Sequence, residues 1–345
     1  MNNDFSETRS ERRKLVDVLP LDTPYTVHID PSGACNFSCG FCPCNTVNFR
    51  NSDRHKIMTM ELFCKIADDL TCFPQKIRVI NLYDFGEPLL NKNVPEMVKI
   101  LREKDVCEEI IMATNGSLLT PELNTRLASC GIDFIKISVE ALSTEGYKNV
   151  SNVDLDFEVF LDNIKDLKRK CHENVCLKNG GRTKIHAKCV NAVLKSDADI
   201  EKFYELFDGI SDYASVENVE DWWSGFEPMI NQDSVRVISN INHGGKICTR
   251  PFIHMIIHSN GEISACCNDW KFATVYGNAS EERLVDVWGG KRLRNFQLMH
   301  LEGRRSENDF CAECSFFCND NIDDDAEVIA EKLRKPEKGD KKKHE

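Results

Sequence analysis

Between residues 25 and 216 the period of the apolar residues switches repeatedly, and this alternation limits the fold more tightly than any other feature. Tyr25–Asp30, Lys76–Tyr83, Glu109–Thr114, Phe134–Val139, Lys184–Leu194 and Tyr213–Val216 are short apolar runs that read as strands. Between them, Thr59–Phe73, Asn93–Lys104, Thr120–Cys130, Phe157–Lys170 and Ala198–Phe207 carry helical spacing. In the first of these helices Leu62, Phe63, Ile66, Ala67 and Leu70 share a face, with Thr59 placed as N-cap. The third opens Thr120-Pro121-Glu122, with proline at its first position. Strands alternating with helices predict βαβ units and a parallel sheet. About six units in roughly 190 residues predict an α/β fold, a partial (β/α)6 TIM-like barrel shorter than the closed eight-unit form. Chemistry in such barrels sits at the C-terminal ends of the strands.

At the end of the first strand stands Cys35-Asn36-Phe37-Ser38-Cys39-Gly40-Phe41-Cys42, a Cys-x3-Cys-x2-Cys spacing. Soft thiolates select zinc, copper(I) or iron–sulfur clusters. Structural zinc would need a fourth protein ligand, whereas a cubane cluster can take three cysteines and leave one iron open. Chance clustering is also open at this point, because the chain holds 17 cysteines. They are spread through strands and helices, their number is odd, and no apolar signal segment opens the chain. That pattern suits metal-bound and free thiols in a reducing cytoplasm, not a disulfide framework. Cys171 and Cys176, in the polar connector 171–183, read as ordinary thiols. A formal charge of −12 argues against general nucleic-acid binding. No apolar run is long enough to span a bilayer.

Beyond residue 217 the alternation stops. Cys248-x12-Gly261-x4-Cys266 is followed by Cys311-x2-Cys314. Four thiolates could close around a cubane cluster or a zinc ion. Ile253–Ser264 reads as a hairpin turning at Asn260-Gly261, which would bring Cys248 near Cys266. Leu284–Leu301 reads as helix. The chain therefore divides into an arm (1–24), a barrel (25–216), a small C-terminal α+β domain (217–322) and a charged tail (323–345) expected to be a solvated, frayed helix.

The cysteine triplet after the first strand resembles the signature of the radical S-adenosylmethionine (SAM) enzymes. Asp84-Phe85-Gly86-Glu87-Pro88 resembles their Gly-Gly-Glu-Pro motif, with Phe85 in place of the first glycine. Ala113-Thr114-Asn115-Gly116-Ser117 is similar to their Thr-Asn-Gly turn, and Ser138-Val139-Glu140 to their Ser-x-Asp. Tyr147-Lys148-Asn149-Val150-Ser151 stands where relatives often carry an arginine for the SAM carboxylate; Ser151 takes its place, with Lys148 or Lys188 as substitute cations. The C-terminal cysteines, with Gly277-Asn278 and Val287-Trp288, resemble the family's SPASM or twitch auxiliary-cluster domain. The resemblance implies a SAM-binding [4Fe-4S] cluster on Cys35, Cys39 and Cys42. It implies an auxiliary [4Fe-4S] cluster on Cys248, Cys266, Cys311 and Cys314, with Cys267 and Cys318 as alternates. SAM would meet Phe41, Gly86, Glu87, Pro88, Asn115, Ser138, Glu140 and Ser151.

Family inference then leads to an oxidoreductase that dehydrogenates a carbohydrate or aminocyclitol-type alcohol and passes one electron to the auxiliary cluster. Its reductant would be a flavodoxin or ferredoxin. Asp269 and Asp221 are the candidate bases, the latter beside Trp222 and Trp223. His254 and His258 read as structural. Two rivals stand beside this reading. One is modification of a ribosomal peptide, which usually calls for an extra N-terminal domain. The other is a binding module stapled by zinc.

Overall fold

The strands form one nine-stranded sheet in the order β6-β5-β4-β3-β2-β1-β7-β8-β9. The computed structural model describes residues 14–177, 180–194, 196–217, 247–314 and 322–334. Strands β1 (Thr26–Ile29), β2 (Ile77–Asn81), β3 (Cys107–Thr114), β4 (Phe134–Val139), β5 (Lys184–Val190) and β6 (Tyr213–Glu217) pair in sequence, all parallel. This is the open, six-stranded partial barrel that the periodicity predicts. The other edge of β1 pairs in parallel with β7 (His254–Ile257), which turns antiparallel into β8 (Glu262–Ser264) and then β9 (Val275–Asn278).

The helices are α1 (Leu15–Val18), α2 (Val47–Arg50), α3 (Met60–Leu70), α4 (Val94–Lys104), α5 (Pro121–Ser129), α6 (Thr144–Ser151) and α7 (Phe157–Glu173). They continue with α8 (Asp197–Phe207), α9 (Arg250–Ile253), α10 (Leu284–Trp288), α11 (Lys291–Leu301), α12 (Asp309–Glu313) and α13 (Ala326–Arg334). Thr59 caps α3 by accepting from Leu62 N, and Thr120 caps α5 in the same way. The helical stripe Phe63, Ile66, Ala67 and Leu70 is buried against Val27 and Ile29 of β1 in the main core. Since side chains alternate across a strand, His28 must then lie on the sheet face turned away from these helices.

Two expectations change. The segment read as one helix from Leu284 to Leu301 breaks at Gly289-Gly290, where a Cβ on Gly290 would lie 2.7 Å from the Asp286 carbonyl. The tail helix is not solvated: Ile329, Ala330 and Leu333 of α13 are buried against Leu19, Ile247, Phe252 and Leu301. Its apolar residues fall at helical spacing, and the surrounding charge concealed that stripe. Among the described residues no helix is long and apolar enough to cross a membrane.

Within the C-terminal part, the backbone of Gly277 in β9 packs on the Val287 side chain of α10, where a Cβ would come within 2.5 Å of Cγ1. One buried side chain ties the hairpin to the barrel. Arg54, in the segment after the cysteine loop, is buried. It donates from Nε to Glu262 at 2.6 Å and lies 3.8 Å over the Phe272 ring, while its carbonyl accepts from Ser259 Oγ. Breaking one partner of such a pair costs several kcal/mol, less when the other is partly exposed, as Glu262 is. Arg54→Leu should therefore lower stability by about 2–3 kcal/mol, read as a shift in the urea midpoint; an unchanged midpoint would show that the pair contributes nothing.

Candidate radical-cluster site and auxiliary cysteine cavity

The cysteine loop leaves the C-terminal end of β1 and is held from two sides. Ser38 N and Gly40 N donate to the carbonyls of Ser151 and Val150 at the end of α6, and Glu87 N donates to the Ala34 carbonyl. Gly86 has φ +73°, and a Cβ there would sit 2.3 Å from Ser32 O and 2.6 Å from Ala34 O. Only glycine allows the Glu87 turn to close onto the loop. Cys35, Cys39 and Cys42 are thiols in the structure. Burial raises Cys35 to about 12 and lifts Cys39 well above an ordinary thiol. Negative charge on Glu140 and on the neighbouring thiols pushes both in the same direction. Two such thiols beside a third can all ionise together only around a cation, which is what a cluster's irons supply. The donor set therefore fits a three-cysteine cluster. Cys44, which the motif reading passed over, is a fourth nearby thiol; its contact with Cys42 holds Cys42 below the usual thiol range.

Glu87 is buried, with Oε1 accepting from Thr114 Oγ1 (2.6 Å) and Leu89 N (2.9 Å) and Oε2 from Asn115 N (2.7 Å). Burial raises its carboxyl to about 7 despite these donors. Pro88 is buried and starts the turn that follows. Asn115 donates to Asn36 Oδ1 at 2.9 Å, which ties the third strand's turn to the cysteine loop. Phe41 packs half-buried on the main core. Ser138 and Glu140 end β4, with Ser138 paired to Lys188 of β5. Burial lifts Glu140 to about 7 while Lys188 pulls it down, so this lysine faces the site.

Ser151 is fully buried beneath the loop, where its Oγ accepts from the Cys39 thiol at 3.2 Å. Lys148 points elsewhere, to Asp154 at 3.2 Å. Of the replacements for the missing arginine, Lys188 is the one brought to the barrel interior, where it also meets Glu217 at 3.4 Å. It lies on β5, beyond the stretch in which the family motif places a cation.

Cys248, Cys266, Cys311 and Cys314 line one small cavity together with Arg250, His300, Arg305 and Phe310. The Gly261 turn (φ +90°) of the β7–β8 hairpin and the Asn308 cap of α12 deliver these thiols. Burial raises Cys311 to about 12 and Cys266 well above the thiol range. Four soft donors around one cavity fit a fully ligated cluster. Cys267 lies outside this lining, and Cys318 falls outside the described residues, as do Asp221, Trp222 and Trp223. Asp269 is buried. Its oxygens accept from Ala273 N (3.0 Å), Thr274 N (2.6 Å) and Thr274 Oγ1 (2.8 Å), the bonds of a turn-closing carboxylate.

Residues 29–179 match the model of the radical SAM superfamily, and residues 248–315 match that of the SPASM iron–sulfur cluster-binding domain. A curated relative, the S-adenosyl-L-methionine-dependent 2-deoxy-scyllo-inosamine dehydrogenase of Niallia circulans, is 22% identical over 84% of this chain and 92% of its own. The crystal structure of BtrN with AdoMet and 2-DOIA superposes with a TM-score of 0.52 at 19% identity, covering 85% of this chain and 93% of that one. Streptococcus suis SuiB bound to its precursor peptide SuiA superposes with a TM-score of 0.58 at 16% identity, covering 79% and 66%. The cofactors are accordingly SAM, a SAM-binding [4Fe-4S] cluster and an auxiliary [4Fe-4S] cluster. The chain thus carries a radical SAM domain over residues 29–179 and a SPASM iron–sulfur cluster-binding domain at its C-terminus.

Proposed function

We propose that this radical SAM enzyme is a dehydrogenase that removes two electrons and two protons from an alcohol group of a carbohydrate or aminocyclitol-type small molecule, one hydrogen from carbon and one proton from the hydroxyl. The observation that carries this reading is the cavity lined by four cysteines. Four protein ligands leave a cluster no open iron for substrate and suit it to accepting an electron. The nearly full-length likeness to an aminocyclitol dehydrogenase supports the same reaction class. When bound, SAM and the two clusters supply a 5′-deoxyadenosyl radical that takes a hydrogen atom and an acceptor for the remaining electron.

The chain's own residues position these groups. In this reading Cys35, Cys39 and Cys42 hold the SAM-binding cluster, and Cys248, Cys266, Cys311 and Cys314 hold the other. Glu87 and the Gly86 turn receive the SAM amino group, with Pro88 and Asn115 fixing that turn. Ser138 and Glu140 receive the ribose, Phe41 lies by the adenine, and Lys188 pairs the carboxylate. Ser151 acts by supporting the Cys39 loop. The hydroxyl proton must also leave. The bonds of Asp269 weigh against its being the base, and Asp221 remains the other candidate. The barrel would span 25–216 and the auxiliary domain 217–322, in a cytoplasmic enzyme reduced by a flavodoxin or ferredoxin, with neither membrane nor nucleic acid as partner. Modification of a peptide rests on fold likeness alone, to SuiB with its precursor peptide and to anSMEcpe with a bound peptide.

The test is incubation of the anaerobically reconstituted, reduced enzyme with SAM and an aminocyclitol deuterated at its carbinol carbons. Deuterium in 5′-deoxyadenosine together with a ketone product is the expected result. Transfer of deuterium from a peptide and not from any polyol would overturn the reading. Cys314→Ala should still cleave SAM but lose oxidised product at least about tenfold, roughly 1.4 kcal/mol of barrier. Glu140→Gln should raise the KM for SAM about tenfold, the scale of one charge-assisted hydrogen bond, with iron content unchanged.

A further inference from the structure

His28 on β1, His254 at the start of β7 and Cys267 just after β8 each direct a ligand atom to one point, with those atoms all within 4.8 Å of one another. The parallel β1–β7 pairing, which sets Thr26 opposite His254, brings the two imidazoles to a centroid separation of 5.7 Å. The site is distinct from both cysteine arrays: none of the three residues belongs to the triplet at 35–42, and Cys267 does not line the four-cysteine cavity.

Nδ1 of His28 and Nδ1 of His254 are both buried without a hydrogen-bond partner. Two imidazole nitrogens buried without a partner, on rings grouped with a thiol, are an energetic cost unless something accepts their lone pairs or protons. Burial, with positive charge on Arg250 adding to it, lowers His28 to about 4 and His254 well below its ordinary range. Both rings are therefore neutral near pH 7, the form that ligates metal. The surroundings support the arrangement. The Asn81 side-chain amide lies 3.1 Å from His28 Nε2; with its oxygen turned there it accepts from Nε2–H and leaves the Nδ1 lone pair for a metal, while Asp84 Oδ1 lies 3.6 Å from Nδ1. Arg250 Nη1 donates to Cys267 Sγ at 2.5 Å and to Asn268 Oδ1 at 3.2 Å. An N–H donor on a thiolate sulfur is an outer-shell contact that orients a metal ligand and offsets its charge.

We propose that His28, His254 and Cys267 form a mononuclear site for a divalent metal of the zinc class, between the barrel sheet and the auxiliary cysteines. Two imidazoles and one thiolate are the donors such an ion prefers, and three protein ligands leave a fourth position open. The role of that position rests on the dehydrogenase reading: it takes the hydroxyl oxygen of the substrate. Coordination acidifies the hydroxyl, so its proton leaves to water without a carboxylate base. The carbon-bound hydrogen leaves as an atom to the 5′-deoxyadenosyl radical, and the last electron goes to the auxiliary cluster. Alcohol becomes ketone with every proton and electron placed.

The experiment is zinc, iron and sulfide analysis of the cluster-loaded enzyme after equilibrium dialysis against buffered Zn2+. The expected result is about one zinc per chain, with zinc X-ray absorption showing one sulfur and two nitrogens at about 2.0–2.3 Å. His254→Gln and Cys267→Ser should each lower bound zinc at least tenfold while iron and sulfide stay at wild-type levels; circular dichroism confirms that each variant is folded. Absence of zinc from the wild type, or its retention in both variants, would overturn the site. Loss of iron in Cys267→Ser would do so too, by assigning Cys267 to the auxiliary cluster. Failure of the dehydrogenase reading is separate: zinc held as described with no deuterium transfer from a polyol would leave the metal site standing and remove its substrate.

Discussion

Strand β1 is hydrogen-bonded on both edges, to β2 on one side and to β7 on the other. It is only four residues long, yet it runs directly into the loop that carries Cys35, Cys39 and Cys42. A strand paired on both edges has its backbone donors and acceptors satisfied and its register fixed, because a one-residue slip would turn Val27 and Ile29 out of the core. The register between β1 and β7 also fixes the β7–β8 hairpin, and with it Cys266 and Cys267. The two cysteine arrays are thus held by one sheet and not by two bodies joined through a linker. For an electron to pass between cofactors bound at the two places, that rigidity matters more than any single contact.

Buried ionisable groups follow the same geometry. Glu87, Glu140 and the loop thiols follow the C-terminal ends of their strands, and Arg54 lies in the segment after the cysteine loop, places where a core side chain would serve stability better. Glu87 accepts three hydrogen bonds and still titrates near 7. A cationic amino group placed against it would recover the cost of burying its charge. The cysteine loop shows the same logic with the same sign: Cys35 and Cys39 resist ionisation until positive charge arrives. The site is built to be completed by what binds there.

Much of this was legible in the sequence. Period switching between two and 3.6 residues located the parallel strands in order, and threonine caps located the starts of α3 and α5. Spacing brought out the cysteine arrays because their members are close in the chain or flank a hairpin. What escaped detection depended on contacts between distant segments. Helix α6 contains Gly146 and too few turns for a periodic signal. At the break, Gly289-Gly290, the backbone comes so close to the Asp286 carbonyl that a Cβ on Gly290 would not fit. Lys188 reaches the site only because β4 and β5 pair, and the convergence of His28, His254 and Cys267 exists only through the β1–β7 ladder.

The central claim is that the two arrays hold two separate cubane clusters. It is tested most directly by iron, sulfide and zinc analysis of anaerobically reconstituted protein, wild type beside a Cys35, Cys39 and Cys42 triple-alanine variant. The account predicts about eight irons per chain in the wild type and about four in the variant, with sulfide in proportion. Zinc in place of iron in both arrays, or about four irons in both proteins, would contradict it.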